Sequence, residues 1–594
     1  MKRHGVFLCI IIFMMLFLVS GLAWFQIKEG ESYYQKSENN RIRSLSFASP
    51  RGRILDRDGV ILADNRVSFG VSIIPEEIRK NESFVIPLLI ELIKDDDLTY
   101  EKIEKKIKSA HAAPFVHVRI KKDLEFDAFA RIEENLLDMP GVTVRPYMVR
   151  EYPYDDLAGH VIGYTGMISL EEYGRLKGSD YQKWDMIGKT GVEKMYDTIL
   201  RGRRGWKYVE ITASGRHVEN LKETKVIPGS DLMLTIDNDV QRMAQNALQD
   251  YRGACVVIQS DTGDILALVS SPGLNVSSFG ESPDTEALKE YFQDTNKPFI
   301  NRTIQASYSP GSVFKIVLAI AGLSTGVITE ETEFYCNGAF LVGGRRFRCM
   351  GQHGHVSLIE ALERSCNIYF YNLGLKLGPN TMAEYSKKLG LGQASGIDLP
   401  YERQGIVPSP EWKKNRFKND KRWYDGETAL FAIGQGFLEV TPLQLIYAAN
   451  ALVNGGKLFK PKLLKKVYGN KLINPHDVAG EYTDLSFNPY HLMLIKQGMY
   501  QVVHSPNGTG RRAKLNGYEI GGKTGTVQVK RHGKRQPDHG WFFGFSPIDK
   551  PKYSVIVFIE NQGAGGHKPA RIAREIFKGI WTKEETRKLY VQTN

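Results

Sequence analysis

The chain has 594 residues, 42% of them apolar and 25% charged, with a formal net charge of +12. That length exceeds one ordinary domain, and those proportions exclude a disordered or fibrous chain. The 79 basic residues are spread along the sequence, and no finger, homeodomain or RNA-binding signature accompanies them, so nucleic acid is not an expected partner. An anionic neighbourhood such as a membrane surface suits the charge better.

Lys2, Arg3 and His4 precede Val6–Phe25, twenty residues without a charge. As a helix rising about 1.5 Å per residue, that run spans roughly 30 Å, the hydrocarbon thickness of a bilayer. The alternative is a cleaved signal peptide ending near Gly21-Leu22-Ala23, but the apolar core of such a peptide runs to only about 7–15 residues. The expectation is a single-pass anchor within residues 1–27, with its basic flank cytoplasmic and everything after it exported.

Residues 28–230 mix short alternating stretches with charged helical ones such as Tyr100–Ser109. They hold no catalytic constellation and read as a spacer or interaction domain. A turn cluster at Pro228-Gly229-Ser230 marks a boundary. Within 231–594, the apolar runs Gly253–Gln259 and Asp264–Ser270 are joined by Asp261-Thr262-Gly263, a hairpin signal. A mostly helical region follows from about 310 to 450, with Leu358–Leu373 as one helical pattern. Strand-like runs return at Tyr518–Val529, Trp541–Phe545 and Tyr553–Glu560, before a closing amphipathic helix over Pro569–Trp581. The pattern predicts an α/β fold in which one antiparallel five-stranded sheet is covered by helices.

Three short motifs carry chemistry. Pro310-Gly311 sets Ser312 at the first turn of a helix, and Lys315, three residues on, shares its face. A serine hydroxyl is barely nucleophilic until a neighbouring base takes its proton. Ser365-Cys366-Asn367 follows, placing a hydroxyl and an amide two residues apart. Lys523-Thr524-Gly525-Thr526 comes last, in a strand whose glycine lets a substrate backbone approach, with hydroxyls and an amine for anionic groups. A decoy, Lys189-Thr190-Gly191, precedes the serine and is set aside.

Each motif alone is weak. Their order resembles the penicillin-recognising serine enzymes, and further boxes resemble the class B penicillin-binding proteins. These are Arg51–Gly59, Gly159–Tyr164, Gly188–Glu193, Gly434-Gln435-Gly436 with Thr441–Gln444, and His539–Gly544. The resemblance implies a penicillin-binding transpeptidase domain on an elongated mixed α+β pedestal, at the cell membrane with its catalytic domain on the periplasmic side. It also implies that Ser312 attacks the penultimate D-alanine carbonyl of a peptidoglycan stem peptide, with Lys315 as base. Ser365 and Lys523 would relay the proton, Asn367 would hold the acyl chain, and the Ser312 and Thr526 N–H groups would form the oxyanion hole. β-Lactams would block Ser312, and a polytopic SEDS-type glycosyltransferase with other elongation-complex membrane proteins would be partners. No organic cofactor is implied. A D-alanyl carboxypeptidase, a β-lactamase or a penicillin sensor would share the motifs, but neither of the first two needs so large a segment before the catalytic domain, and a sensor would carry more membrane spans.

Five cysteines occur. Cys9 lies in the anchor run and Cys255 in a buried-strand pattern. Cys336, Cys349, His353 and Cys366 fall close together, with His355 as a rival ligand. Thiolates and imidazole suit one tetrahedral zinc ion. A Cys336–Cys349 disulfide, or scattered thiols, are the other readings. The cluster also resembles the elongation subgroup, penicillin-binding protein 2, and favours it over the division-type enzyme. Lys530–Arg535 reads as a solvated hairpin tip, with contact to an anionic wall chain as the sharper alternative.

Overall fold

The computed structural model describes residues 2–593 apart from 35–41, 96, 110–116, 184, 212–216, 281–284, 470–479 and 532–533. The chain forms two units. The first comprises Met1–Arg51, Val67–Met148 and Arg201–Gly229; the second comprises Gly52–Arg66, Val149–Leu200 and Ser230–Asn594.

In the first unit the uncharged N-terminal run is helical over Lys2–Ala23 and continues as a wider turn through Lys28. Among the described residues it is the one helix long and apolar enough to cross a membrane. A separate lobe has its own core, in which Val85, Ile86 and Leu89 of the helix Glu82–Ile93 meet Ile103, Ile132 and the strand residues Val71 and Ile73. Ile42–Phe47, Gly205–Ile211 and His217–Thr224 make a three-stranded antiparallel sheet.

Two stretches on the N-terminal side of Ser230 belong to the second unit, for a local reason. Arg150, buried, donates to Glu193 at 2.7 Å and to the Gly52 carbonyl at 2.8 Å. Ile54 and Leu55 run parallel to Leu232 and Met233. The boxes Arg51–Gly59 and Gly188–Glu193 are thus joined through one buried ion pair.

The second unit is built on a five-stranded antiparallel sheet in the order Ile265–Ser271, Gly253–Gln259, Tyr553–Ile559, Lys534–Ser546, Gly521–Arg531. Alternation along Gly253–Gln259 sends Ala254, Val256 and Ile258 into one core and Cys255 and Val257 into another. The second core is closed by the helix Lys568–Thr593, twelve residues longer at its C-terminal end than the amphipathic pattern indicated. Burial alone pushes the Cys255 thiol far up, so it stays inert. The first core is covered by the helical insertion. Its central helix, Lys315–Ser324, is buried from Lys315 to Leu323, and every one of those residues after Lys315 is apolar.

The insertion departs from the sequence reading in two places. Four short strands interrupt it between Phe334 and Val356. Gly343 and Gly344 both take positive φ, which makes a two-residue hairpin turn of the kind that only such residues adopt readily. Leu358–Leu373 is also two helices rather than one. Leu358–Glu363 ends, Ser365 takes φ 54°, and a new helix starts at Asn367.

Candidate functional site

Ser312 is the second residue of a 3₁₀ turn, Gly311–Phe314, that runs directly into the helix Lys315–Ser324. Gly311 sits at φ 56°, and its N–H donates to the Gly434 carbonyl at 2.9 Å. A methyl on Gly311 would meet the Thr526 carbonyl at 2.9 Å, and one on Gly525 would meet the Pro310 carbonyl at the same distance. The serine turn and the edge strand Gly521–Arg531 therefore touch backbone to backbone, and both glycines are needed for that approach. Trp541, next in the sheet, donates from Nε1 to the Ser309 carbonyl at 3.1 Å and fixes the turn from below.

Lys315 is fully buried, whereas Ser312 is half-buried. The Lys315 amine reaches across to the break between the two helices. It donates to Asn367 Oδ1 at 2.7 Å, the Ser365 carbonyl at 2.8 Å and Ser365 Oγ at 3.2 Å. Lys523, also fully buried, donates to Ser365 Oγ at 3.0 Å and to the Thr524 carbonyl at 3.2 Å. The left-handed Ser365 presents both its carbonyl and its hydroxyl to Lys315, which a continuous helix would not allow. Positive φ at a non-glycine residue costs on the order of 1 kcal/mol.

Among the described residues, neither amine has a carboxylate partner. Burial lowers Lys315 to about 8, with charge on Cys349 and Cys366 partly offsetting the drop. Burial, and then the charge of Lys315, hold Lys523 well below the usual lysine range. Burial and mutual repulsion shift both amines towards the neutral form, so the site can hold a neutral amine as a base. Thr524 Oγ1 lies 2.8 Å from Thr509 Oγ1, and Thr526 Oγ1 accepts from the Gly565 N–H at 3.4 Å. Thr509, in Asn507-Gly508-Thr509-Gly510, was not anticipated; nothing in its spacing from the motifs marks it.

A second network holds the strap before Ser312. Glu560 accepts from Arg302 Nε at 2.9 Å, Arg252 at 2.7 Å and the Tyr308 hydroxyl at 2.8 Å. Those charges keep the Glu560 carboxyl below its usual range against the opposing effect of burial. The decoy lysine, Lys189, pairs instead with Glu172 at 2.6 Å.

The cysteine cluster adjoins the site. The ligand atoms of Cys336, Cys349, His353 and Cys366 all lie within 4.8 Å of one another. His353 Nδ1 is 3.4 Å from Cys336 Sγ and 3.5 Å from Cys349 Sγ, and the Cys349 and Cys366 sulfurs are 3.8 Å apart. Ligands about 2.3 Å (S) and 2.0 Å (N) from a tetrahedral centre lie about 3.8 Å (S to S) and 3.5 Å (S to N) apart. The donor set and spacing fit zinc. All three cysteines are free, so the structure has no Cys336–Cys349 disulfide. The rival His355 is exposed and faces Glu333 at 3.5 Å. The hydrogen bond between Cys349 and Cys366, with backbone N–H groups near Cys349, holds the Cys349 thiol far below its usual range and pushes the Cys366 thiol up, so Cys349 is the readier thiolate of the two. The Asn367 N–H donates to Cys349 Sγ at 3.2 Å, so the cluster and the second motif share one backbone segment.

Of the run Lys530–Arg535, positions 532–533 lie outside the described residues; Arg535 pairs with Asp538 at 3.6 Å.

Residues 253–578 match the penicillin binding protein transpeptidase domain, and residues 46–234 match the penicillin-binding protein dimerisation domain. The chain belongs to the penicillin-binding protein transpeptidases. This penicillin-binding protein is 34% identical to the peptidoglycan D,D-transpeptidase MrdA of Acinetobacter baumannii, over 96% of this chain and 86% of the relative. It is 33% identical to the MrdA of Escherichia coli, over 92% of this chain and 89% of the relative. The penicillin-binding protein PBP2 solved in complex with MreC from Helicobacter pylori has the same fold, with a TM-score of 0.80 at 26% identity over 91% of this chain and 99% of that one. These likenesses place this penicillin-binding protein in the elongation-type group, penicillin-binding protein 2.

Proposed function

We propose that this penicillin-binding protein is a serine D,D-transpeptidase that cross-links peptidoglycan stem peptides during cell-wall elongation, through an ester on Ser312. The observation that best supports this reading is the convergence of Lys315 and Lys523 on Ser365 Oγ, at 3.2 and 3.0 Å, beside the Ser312 turn. One residue from each of three motifs, more than 200 positions apart at their extremes, takes part in those two hydrogen bonds.

In this mechanism Ser312 Oγ attacks the penultimate D-alanine carbonyl, and the neutral Lys315 amine takes the hydroxyl proton. The oxyanion accepts from the Ser312 and Thr526 N–H groups, an arrangement that contributes a large electrostatic share of acyl-transfer catalysis. The proton moves by way of Ser365 Oγ and Lys523 to the departing D-alanine amine as the C–N bond breaks. Asn367 holds the acyl chain, and the Thr524 and Thr526 hydroxyls, with Gly525 between them, hold the substrate end. An amine from a second strand then attacks the ester and regenerates Ser312.

Cys336, Cys349, His353 and Cys366 would hold one zinc ion. Bound there, it would balance thiolate charge and stiffen the Ser365–Asn367 segment, with no part in the acyl transfer. The helix Lys2–Ala23 serves as the single membrane anchor, with the catalytic unit on the periplasmic side. The Helicobacter relative solved with MreC supports elongation-complex membrane proteins as partners, and a SEDS-type glycosyltransferase supplying the glycan strand fits the same role.

The test is intact-mass analysis after labelling with a fluorescent penicillin. The wild type is expected to gain one label, and Ser312→Ala none; a label retained in the variant removes Ser312 from its role.

A further inference from the structure

Arg345, Arg346 and Arg348 lie on one strand of the hairpin Ala339–Val342/Arg345–Arg348, and all three are exposed. Among the described residues no carboxylate pairs with any of them. Three like charges within four positions repel one another, and among the described residues no acid neutralises them.

The hairpin is anchored to the catalytic site. Its inner residues Phe340 and Phe347 pack on Tyr371, with ring centroids 5.4 and 5.6 Å away. The Arg348 carbonyl accepts from Asn367 Nδ2 at 3.1 Å. The guanidinium groups therefore project from a strand bonded to the residue that would hold the acyl chain.

A second basic segment adjoins it. A methyl on Gly426 would lie 3.6 Å from the Phe347 ring, and the loop leading to Gly426 exposes Lys418 and Lys421. Two acids of that loop, Asp420 and Glu427, are engaged by a buried lysine. Buried Lys413 bonds Glu427 at 2.5 Å, Asp420 at 3.2 Å and the Arg422 carbonyl at 2.7 Å. Asp420 and Glu427 are thus tied to an internal cation, while Asp425 of the same loop is exposed, so the unpaired positive charge of this rim is that of the hairpin arginines.

Charge complementarity and attachment to Asn367 select the occupant. Arginine forks bind carboxylates in paired, charge-assisted hydrogen bonds. We infer that this rim is a subsite for free carboxylates on an acidic peptide, carried by the strand whose end is processed at Ser312. The inference rests on the transpeptidase reading above and adds a specificity device to it. Peptides whose side-chain carboxylates are amidated are poorer ligands.

The experiment uses the full-length protein in detergent and two competitor peptides ending in D-alanyl-D-alanine, one with its side-chain carboxylate free and one with it amidated. Each is titrated for its ability to slow fluorescent-penicillin labelling. The wild type is expected to bind the free acid about 10-fold more tightly than the amide, with the ratio shrinking as salt rises from about 0.05 to about 0.5 M. Arg346→Gln combined with Arg348→Gln, the two that share the outer face of the strand, brings the ratio to about one, and the paired Lys substitutions keep part of it. Because the readout is a ratio, a general change in serine reactivity cancels. Equal protection by both peptides in the wild type, or a preference that survives in the Gln pair, overturns the subsite alone. No labelling of wild-type Ser312 overturns the transpeptidase reading and the subsite with it.

Discussion

Lys523 and Ser365, 158 residues apart in the chain, are joined by a 3.0 Å hydrogen bond from a fully buried amine to a nearly buried hydroxyl. Lys315 reaches the same oxygen from the other side at 3.2 Å. The arrangement links both ends of the domain through one atom, and its consequences can be measured.

The first concerns pH. Lys315 must be neutral to take a proton, and burial lowers it to about 8 from an ordinary value of 10.5. Below pH 8 the amine is mostly charged, so the penicillin acylation rate is expected to rise with pH and level off above about 8. Lys315→Ala should lower the rate about 10³-fold. A flat profile between pH 6 and 9 would remove Lys315 as the base.

The second concerns the metal. Cys366 lies between Ser365 and Asn367, and Cys349 Sγ accepts from the Asn367 N–H. Cys366→Ser should cut zinc content, measured by elemental analysis, with affinity falling about 10-fold or more. It should also slow acylation by loosening Asn367. Full zinc retention in the variant would assign the cluster to another role.

Gly434 is the third. It sits at φ 73°, and a methyl there would come 2.1 Å from the Gly311 carbonyl. Gly434→Ala must displace the turn that carries Ser312. A shift near 1 Å costs about 10²-fold in rate, so acylation should fall that far while the circular dichroism spectrum stays native. An unchanged rate would mean that the turn is not held where Gly434 places it.

The last concerns Glu560, which balances Arg302, itself only 2% exposed. Glu560→Gln leaves that guanidinium buried without its countercharge, at a cost of about 3 kcal/mol. Denaturant melting checks the figure. Acylation should slow as well, because Tyr308 is released from the strap before Ser312. A loss of stability without slower acylation would confine the network to holding the fold.

Sequence alone determined the parts that depend on local chemistry. The uncharged run at Val6–Phe25 reads as a helix, and apolar runs bounded by turn residues marked the sheet strands on either side of the insertion. The three motifs were legible because each pairs a nucleophile or hydrogen-bonding group with a backbone signal, namely Pro310-Gly311 before Ser312 and Gly525 after Lys523. The tertiary structure decided what depends on distant partners. Ser365 looks helical by periodicity, yet it leaves the helix because Lys315 and Lys523 both need its oxygen. His353 rather than His355 meets the thiols, because the pairing of Tyr335 with His355 turns the latter outward. Thr509 and Glu560 carry no local signature, since each is defined only by the groups that fold against it. Periodicity records which face of an element is buried. It cannot record which buried group, from hundreds of residues away, that face will meet.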